Sequence, residues 1–223
     1  MARVGLVTGG SSGIGLAIAR ALKEDGFELT LASRTREKVE AAARELDAYA
    51  VTANVADDED CARMVAEHRD RFGRLDVLVN SAGVGIAGPI DQLSAKQVSL
   101  QLDVNLRGLM LVTAAALPLL RESSGLIVNL ASIAGTMGTP MLPAYGASKA
   151  GVIQFTDSLN RGEHGVRATA ISPGFVDTPM TDWNPLPKDE MIRPEDCAEI
   201  VRLLLRLSPH ACIPHVVVER VGA

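Results

Sequence analysis

The chain has 223 residues, 47% of them apolar, enough to bury the core of one α/β domain. Its net charge of −5, from 22 basic and 27 acidic side chains, gives no drive toward nucleic acid or anionic lipid, and 3% aromatics supply no base-stacking platform. Cys61, Cys197, Cys212 and the four histidines are scattered, without the spacing of a disulfide framework or a metal site, so no metal is expected.

Apolar runs alternate with longer amphipathic stretches throughout. Arg3–Thr8 reads as a buried strand, followed by a helix over Ile14–Asp25 that Gly26 ends. Glu28–Ser33 is a second strand and Arg36–Asp47 a second helix. Tyr49–Ala53 is a third strand, Asp58–Phe72 a helix stopped by Gly73, and Leu75–Asn80 a fourth strand. Ser94 opens a long helix with Gln97 as its capping-box partner; the helix runs to about Leu120, with Pro118 a candidate kink. Gly125–Leu130, Val166–Ser172 and Pro214–Arg220 read as the remaining strands, Pro143–Arg161 and Pro194–Leu207 as the remaining helices. This alternation predicts an α/β doubly wound parallel sheet, Rossmann-like, of about seven strands with helices on both faces. No linker or composition shift divides residues 1–223, so a single domain is expected. No apolar run is long enough to predict a membrane span and no secretory leader is legible, so the expected location is cytoplasmic.

Strand one runs into Thr8-Gly9-Gly10-Ser11-Ser12-Gly13-Ile14-Gly15 and then directly into a helix. Glycines let backbone approach a pyrophosphate, and the helix N-terminus offers free N–H groups and a positive dipole end. The spacing is Thr-Gly-x-x-x-Gly-x-Gly. It resembles the cofactor-binding turn of the single-domain short-chain dehydrogenases/reductases. At the end of strand two, where NAD-preferring sites of this fold carry an acid, stand Ser33 and Arg34, with Arg36 close behind. A hydroxyl and a guanidinium suit a 2′-phosphate, so NADP(H) is expected over NAD(H), which stays possible.

The resemblance extends along the chain. It implies that Asn54 and Val55 lie near the adenine, and that Asn80, Ala82 and Gly83 pass beside the cofactor ribose, with Asn80 tying adjacent strands together. Ser81 stands where the family usually has asparagine. Pro173, Gly174, Val176 and Thr178 would meet the nicotinamide and its phosphate.

Tyr145 and Lys149 are four residues apart and share a face if their segment is helical. A nearby ammonium is expected to lower the phenol's pKa and fit it for proton exchange. Ser132, 13 residues before Tyr145, stands at a strand end where ligands bind in such sheets. Asn105 lies in an apolar helical setting and reads equally as a satisfied core amide. Together Asn105, Ser132, Tyr145 and Lys149 match the family's catalytic tetrad, in which the asparagine holds a water linked to the lysine. The implied activity is hydride transfer between nicotinamide and a carbonyl or alcohol carbon. A cofactor-binding sensor, or an epimerase or dehydratase using the same pair, are the alternatives. Ile133–Leu142 and Pro179–Arg193 are expected to form the substrate side, with Met180, Trp183, Leu186 and Met191 as an apolar lid or as ordinary packing. Relatives pair through helices here spanning Ser94–Leu120 and Pro143–Arg161, so a homodimer or homotetramer is expected.

Overall fold

The apolar runs become strands whose successive side chains point to opposite faces, and both faces are covered. The computed structural model describes residues 2–222. The strands are β1 (Val4–Thr8), β2 (Glu28–Ser33), β3 (Tyr49–Thr52), β4 (Val77–Asn80), β5 (Leu126–Leu130), β6 (Arg167–Pro173) and β7 (His215–Val218). They pair in parallel in the order β3-β2-β1-β4-β5-β6-β7. The chain order reverses between β1 and β4, which is where such sheets open a crevice at their carboxyl edge.

Helices α1 (Gly13–Glu24), α2 (Arg36–Leu46) and α7 (Pro194–Arg206) bury Ile18, Val39 and Val201 against Val7, Leu31 and Val128 on one face. On the other face lie α3 (Asp58–Phe72), α4 (Ala95–Leu102), α5 (Gly108–Ser123) and α6 (Pro143–Gly162). There Met64, Val112 and Leu120 pack on Leu6, Leu78 and Ile127.

The local signals hold at the ends of the helices. Ser94 Oγ accepts from Gln97 N, while Gln97 returns its side-chain carbonyl to Ser94 N. Gly73 takes the left-handed conformation, φ 68°, that ends α3.

The long helix expected over Ser94–Leu120 is interrupted. Residues Asp103–Arg107 form a π-helical turn between α4 and α5, and this turn carries Asn105. The irregularity therefore sits at Asn105, while Pro118 is accommodated inside α5, which runs on to Ser123. By length and composition alone Ala95–Ser123 is apolar enough to cross a membrane, although polar residues interrupt its apolar run. Its apolar side chains, Val112 and Leu120 among them, pack against the sheet.

One polar group lies deep behind the sheet. His68 of α3 is fully buried, and its Nε2 stands 3.0 Å from the Arg74 carbonyl oxygen. That nitrogen must donate, so Nδ1 accepts the Thr30 hydroxyl at 2.8 Å. Burial pulls the imidazole down to about 4.

Candidate active site

The turn after β1 has room for backbone only. Gly9 takes φ +65°, and a Cβ on it would stand 2.8 Å from the Ala82 nitrogen. A Cβ on Gly15 would stand 2.5 Å from the Gly9 carbonyl oxygen, so α1 starts pressed against the turn. Gly13 also takes positive φ, +52°, and faces the Thr178 methyl. Ser12 caps α1 without a side-chain hydrogen bond, leaving the first N–H groups of the helix for an anion. This glycine-floored cradle fits a dinucleotide phosphate.

Two clefts flank the turn. The first, of about 190 Å3, holds Gly9, Ser11 and Ser12 from the cradle, Ser33 at the end of β2 and Arg34 just after it, Asn54 and Val55 after β3, and Ala82 and Gly83 after β4. The second, of about 240 Å3, holds Ile14, Gly83, Ser132, Tyr145 and Lys149, together with Pro173, Gly174, Val176 and Thr178. Gly83 belongs to both. Of the expected cofactor and catalytic residues, Gly13, Gly15, Asn80 and Asn105 line neither cleft. The two glycines shape the cradle instead. Asn80 ties β4 to β5 and α5 as expected, donating to Asn129 Oδ1 at 2.9 Å and to Thr113 Oγ1 at 3.0 Å.

At the first cleft, Arg34 and Lys38 both line the wall, and neither has an acidic partner among the described residues. Arg36 does not join them. It is turned to Glu40 at 2.7 Å, the ordinary fate of a first-turn arginine with a glutamate four residues on. Asn54 lines the cleft, and its side-chain carbonyl accepts Ala56 N at 3.2 Å, which fixes the side chain on a local turn.

Around the second cleft, Asn105 is a satisfied buried amide. Its Oδ1 accepts Val84 N at 2.8 Å, and its Nδ2 donates to the Val84 carbonyl at 2.9 Å and to Ser148 Oγ at 3.0 Å. It pins the segment after β4 to the helices behind it. A Cβ on Gly83 would stand 3.4 Å from Asn105 Oδ1 and 3.7 Å from Lys149 Nζ, so both groups lie beside that glycine at ordinary contact distance.

Ser132 begins the short turn after β5, its Oγ accepting Ala134 N at 3.2 Å. Lys149, buried in α6, donates from Nζ to the Leu130 carbonyl at 2.6 Å and lies 5.8 Å from the Tyr145 ring centroid. Burial lowers its ammonium to about 8. The Tyr145 phenol is raised above its ordinary value, because burial outweighs the lowering by Ser132. Lys149 contributes no lowering of the phenol here: the amine donates to the Leu130 carbonyl, and desolvation governs both groups.

Met180 and Trp183 project over the second cleft, 42% and 61% exposed. Met191 departs from the expected apolar cover, being buried beside Ile192 at the entry to α7. Several lining residues escaped the sequence reading. Lys38 lies in the first turn of α2, where a lone lysine reads as a solvated face. Phe175 sits between two recognised positions. Thr8 supports the cradle from below, its hydroxyl accepting Ser81 N at 3.1 Å and Ala82 N at 3.2 Å; its place at the head of the glycine motif was the available signal.

A doubly wound parallel sheet with a glycine-floored phosphate cradle at its switch point is a Rossmann-type dinucleotide-binding domain. The family described as short chain dehydrogenase matches residues 3–187. An uncharacterized oxidoreductase of Staphylococcus epidermidis is 36% identical over 224 residues, covering 98% of this chain and 97% of that protein. An alcohol dehydrogenase from the archaeon Thermococcus sibiricus, complexed with 5-hydroxy-NADP, superposes with a TM-score of 0.94 at 29% identity, over 100% of this chain and 98% of that one. Actinorhodin polyketide ketoreductase with NADPH superposes with a TM-score of 0.88 at 30% identity, over 98% and 95% of the two chains. The chain belongs to the short-chain dehydrogenase/reductase family of oxidoreductases.

Proposed function

We propose that this chain is an NADP(H)-dependent carbonyl reductase or alcohol dehydrogenase in which Tyr145 is the general acid and base. The observation that carries the reading is the convergence of Ser132, Tyr145 and Lys149 on one cleft that joins the glycine cradle at Gly83. A nicotinamide bound there supplies or accepts the hydride. During reduction, negative charge grows on the substrate oxygen. Ser132 Oγ hydrogen-bonds that oxygen and Tyr145 donates its proton to it. A phenol raised by burial keeps that proton until the oxygen needs it. Lys149 stabilises the developing tyrosinate and holds the nicotinamide ribose hydroxyls. Asn105, bonded to Val84 and Ser148, holds the segment after β4 in place behind Lys149.

Arg34 and Lys38, two cations without acidic partners at the adenosine end, support recognition of a 2′-phosphate. The NADP-containing relatives support the same reading.

Tyr145→Phe is expected to retain NADP+ binding by calorimetry and to lower kcat by about a thousandfold. A variant with wild-type kcat would refute the assignment. A homodimer or homotetramer is proposed as well, through the outer faces of α4, α5 and α6. Leu102 and Met110, each 37% exposed, lie there with the exposed Ala114 and Ala147. Light scattering should give two or four chain masses; a single-chain mass removes this part.

A further inference from the structure

The second cleft differs from the first in the chemistry of its walls. Beyond the reacting groups it is built from Ile133, Leu142, Phe175, Met180 and Trp183. The one ammonium in it, Lys149, lies on the floor and is bonded to the Leu130 carbonyl. A carboxylate or phosphate entering the cleft would meet no free cation.

The neighbouring segment supplies no spare cation either. Lys188 is shared by Asp177 at 3.3 Å and Asp182 at 2.9 Å, and Arg220 pairs with Glu190 at 3.3 Å. An anion entering the cleft must therefore be desolvated unpaired.

The apolar wall is also shaped. Phe175 and Trp183 meet edge to face, with centroids 6.4 Å apart and ring planes 80° apart. The indole, 61% exposed, leaves an open flat surface in the wall, and Met180 lines the same cleft on the Tyr145 side, its sulfur 3.9 Å from a Cβ placed on Gly85. A ring lying on this surface gains aromatic contact and sulfur–aromatic contact beyond simple burial.

We infer that the substrate is an uncharged carbonyl compound bearing an aromatic ring, and that Trp183 and Phe175 determine this specificity. The inference rests on the hydride-transfer reading above for the position of the carbonyl.

Three ketones test it. Acetophenone is the neutral aryl probe, cyclohexyl methyl ketone has a saturated ring of like size, and 4-acetylbenzoate adds a carboxylate to the aryl ring. With NADPH, kcat/KM should fall in that order. The saturated ring should lose about fivefold, and the carboxylate on the order of a hundredfold or more. Trp183→Ala should bring the acetophenone and cyclohexyl values to near equality while 4-acetylbenzoate stays poor. Trp183→Phe should restore much of the gap.

A second readout needs no turnover. Trp183 is the sole tryptophan of the chain. With NADP+ present, acetophenone should quench its fluorescence at concentrations where 4-acetylbenzoate does not. Equal kcat/KM or equal quenching for these two probes, or an equal loss on all three ketones in Trp183→Ala, overturns the inference. Selective quenching with no turnover of any ketone instead overturns the hydride-transfer reading and leaves the cleft's selectivity standing.

Discussion

His68 shows what burial does to a single side chain. In the folded protein its imidazole ionises near 4, against 6.5 for a free one. Above pH 6.5 the ring is neutral folded or unfolded, and the group has no pH effect. As pH falls from 6.5 to 4 the unfolded chain takes up a proton that the folded one refuses, so stability drops through that window, by about 3 kcal/mol from this group. Wild type should therefore lose that much more than His68→Gln in urea denaturation between those pH values. Parallel curves would show that the ring finds a charged partner on folding. The residue scale also marks how far the site was legible. Ser132, Tyr145 and Lys149 were readable because strand ends and a four-residue helical spacing fix where side chains go. Their ionisation was not readable, because it depends on desolvation, which spacing does not express. Arg36 was misleading for a related reason: its partner, Glu40, is local and competes with any ligand.

The break between α4 and α5 explains a glycine that no motif announces. The π-helical turn at Asp103–Arg107 inserts Asn105 behind the cleft and brings Gly108 against the Val55 carbonyl, where a Cβ would collide with the backbone. Val55 belongs to the first cleft, so this contact couples a helix joint to the adenosine end. Gly108→Ala should lower stability by about 3 kcal/mol and weaken NADP+ binding, as read by urea unfolding and calorimetry. A variant with wild-type stability and affinity would mean that the joint yields freely. The apolar pattern over Ala95–Ser123 continues through the turn, and Asp103–Arg107 carries no glycine or proline to mark the irregularity. Caps and glycine stops were better guides. The capping box at Ser94 and the stop at Gly73 depend only on adjacent residues, and both formed as read.

At the scale of the whole molecule, alternation and continuously apolar strands were enough to anticipate a parallel sheet covered on both faces. Which strands would be neighbours was not legible, since sequence alternation does not order crossovers. That order decides function: β1 beside β4 opens the crevice, with β2 and β3 forming the adenosine side and β5 and β6 the reacting side. A dinucleotide spanning it touches both halves of the sheet and stabilises the chain as a unit. At a hundred times its Kd a ligand adds about 2.7 kcal/mol, which for a chain of this length raises Tm by about 5–10 °C. On the proposed reading NAD+ lacks the phosphate that Arg34 and Lys38 would hold and forgoes about 1.5–3 kcal/mol of charge-assisted hydrogen bonding. At the same concentration its shift should be less than half that of NADP+. Arg34→Ala/Lys38→Ala should bring the two shifts together by lowering the NADP+ value, while the glycine cradle still binds the pyrophosphate common to both. A shift from NAD+ that equals or exceeds the shift from NADP+ in the wild-type chain would mean that the two cations are ordinary surface charges and that the adenosine end does not read the 2′ position.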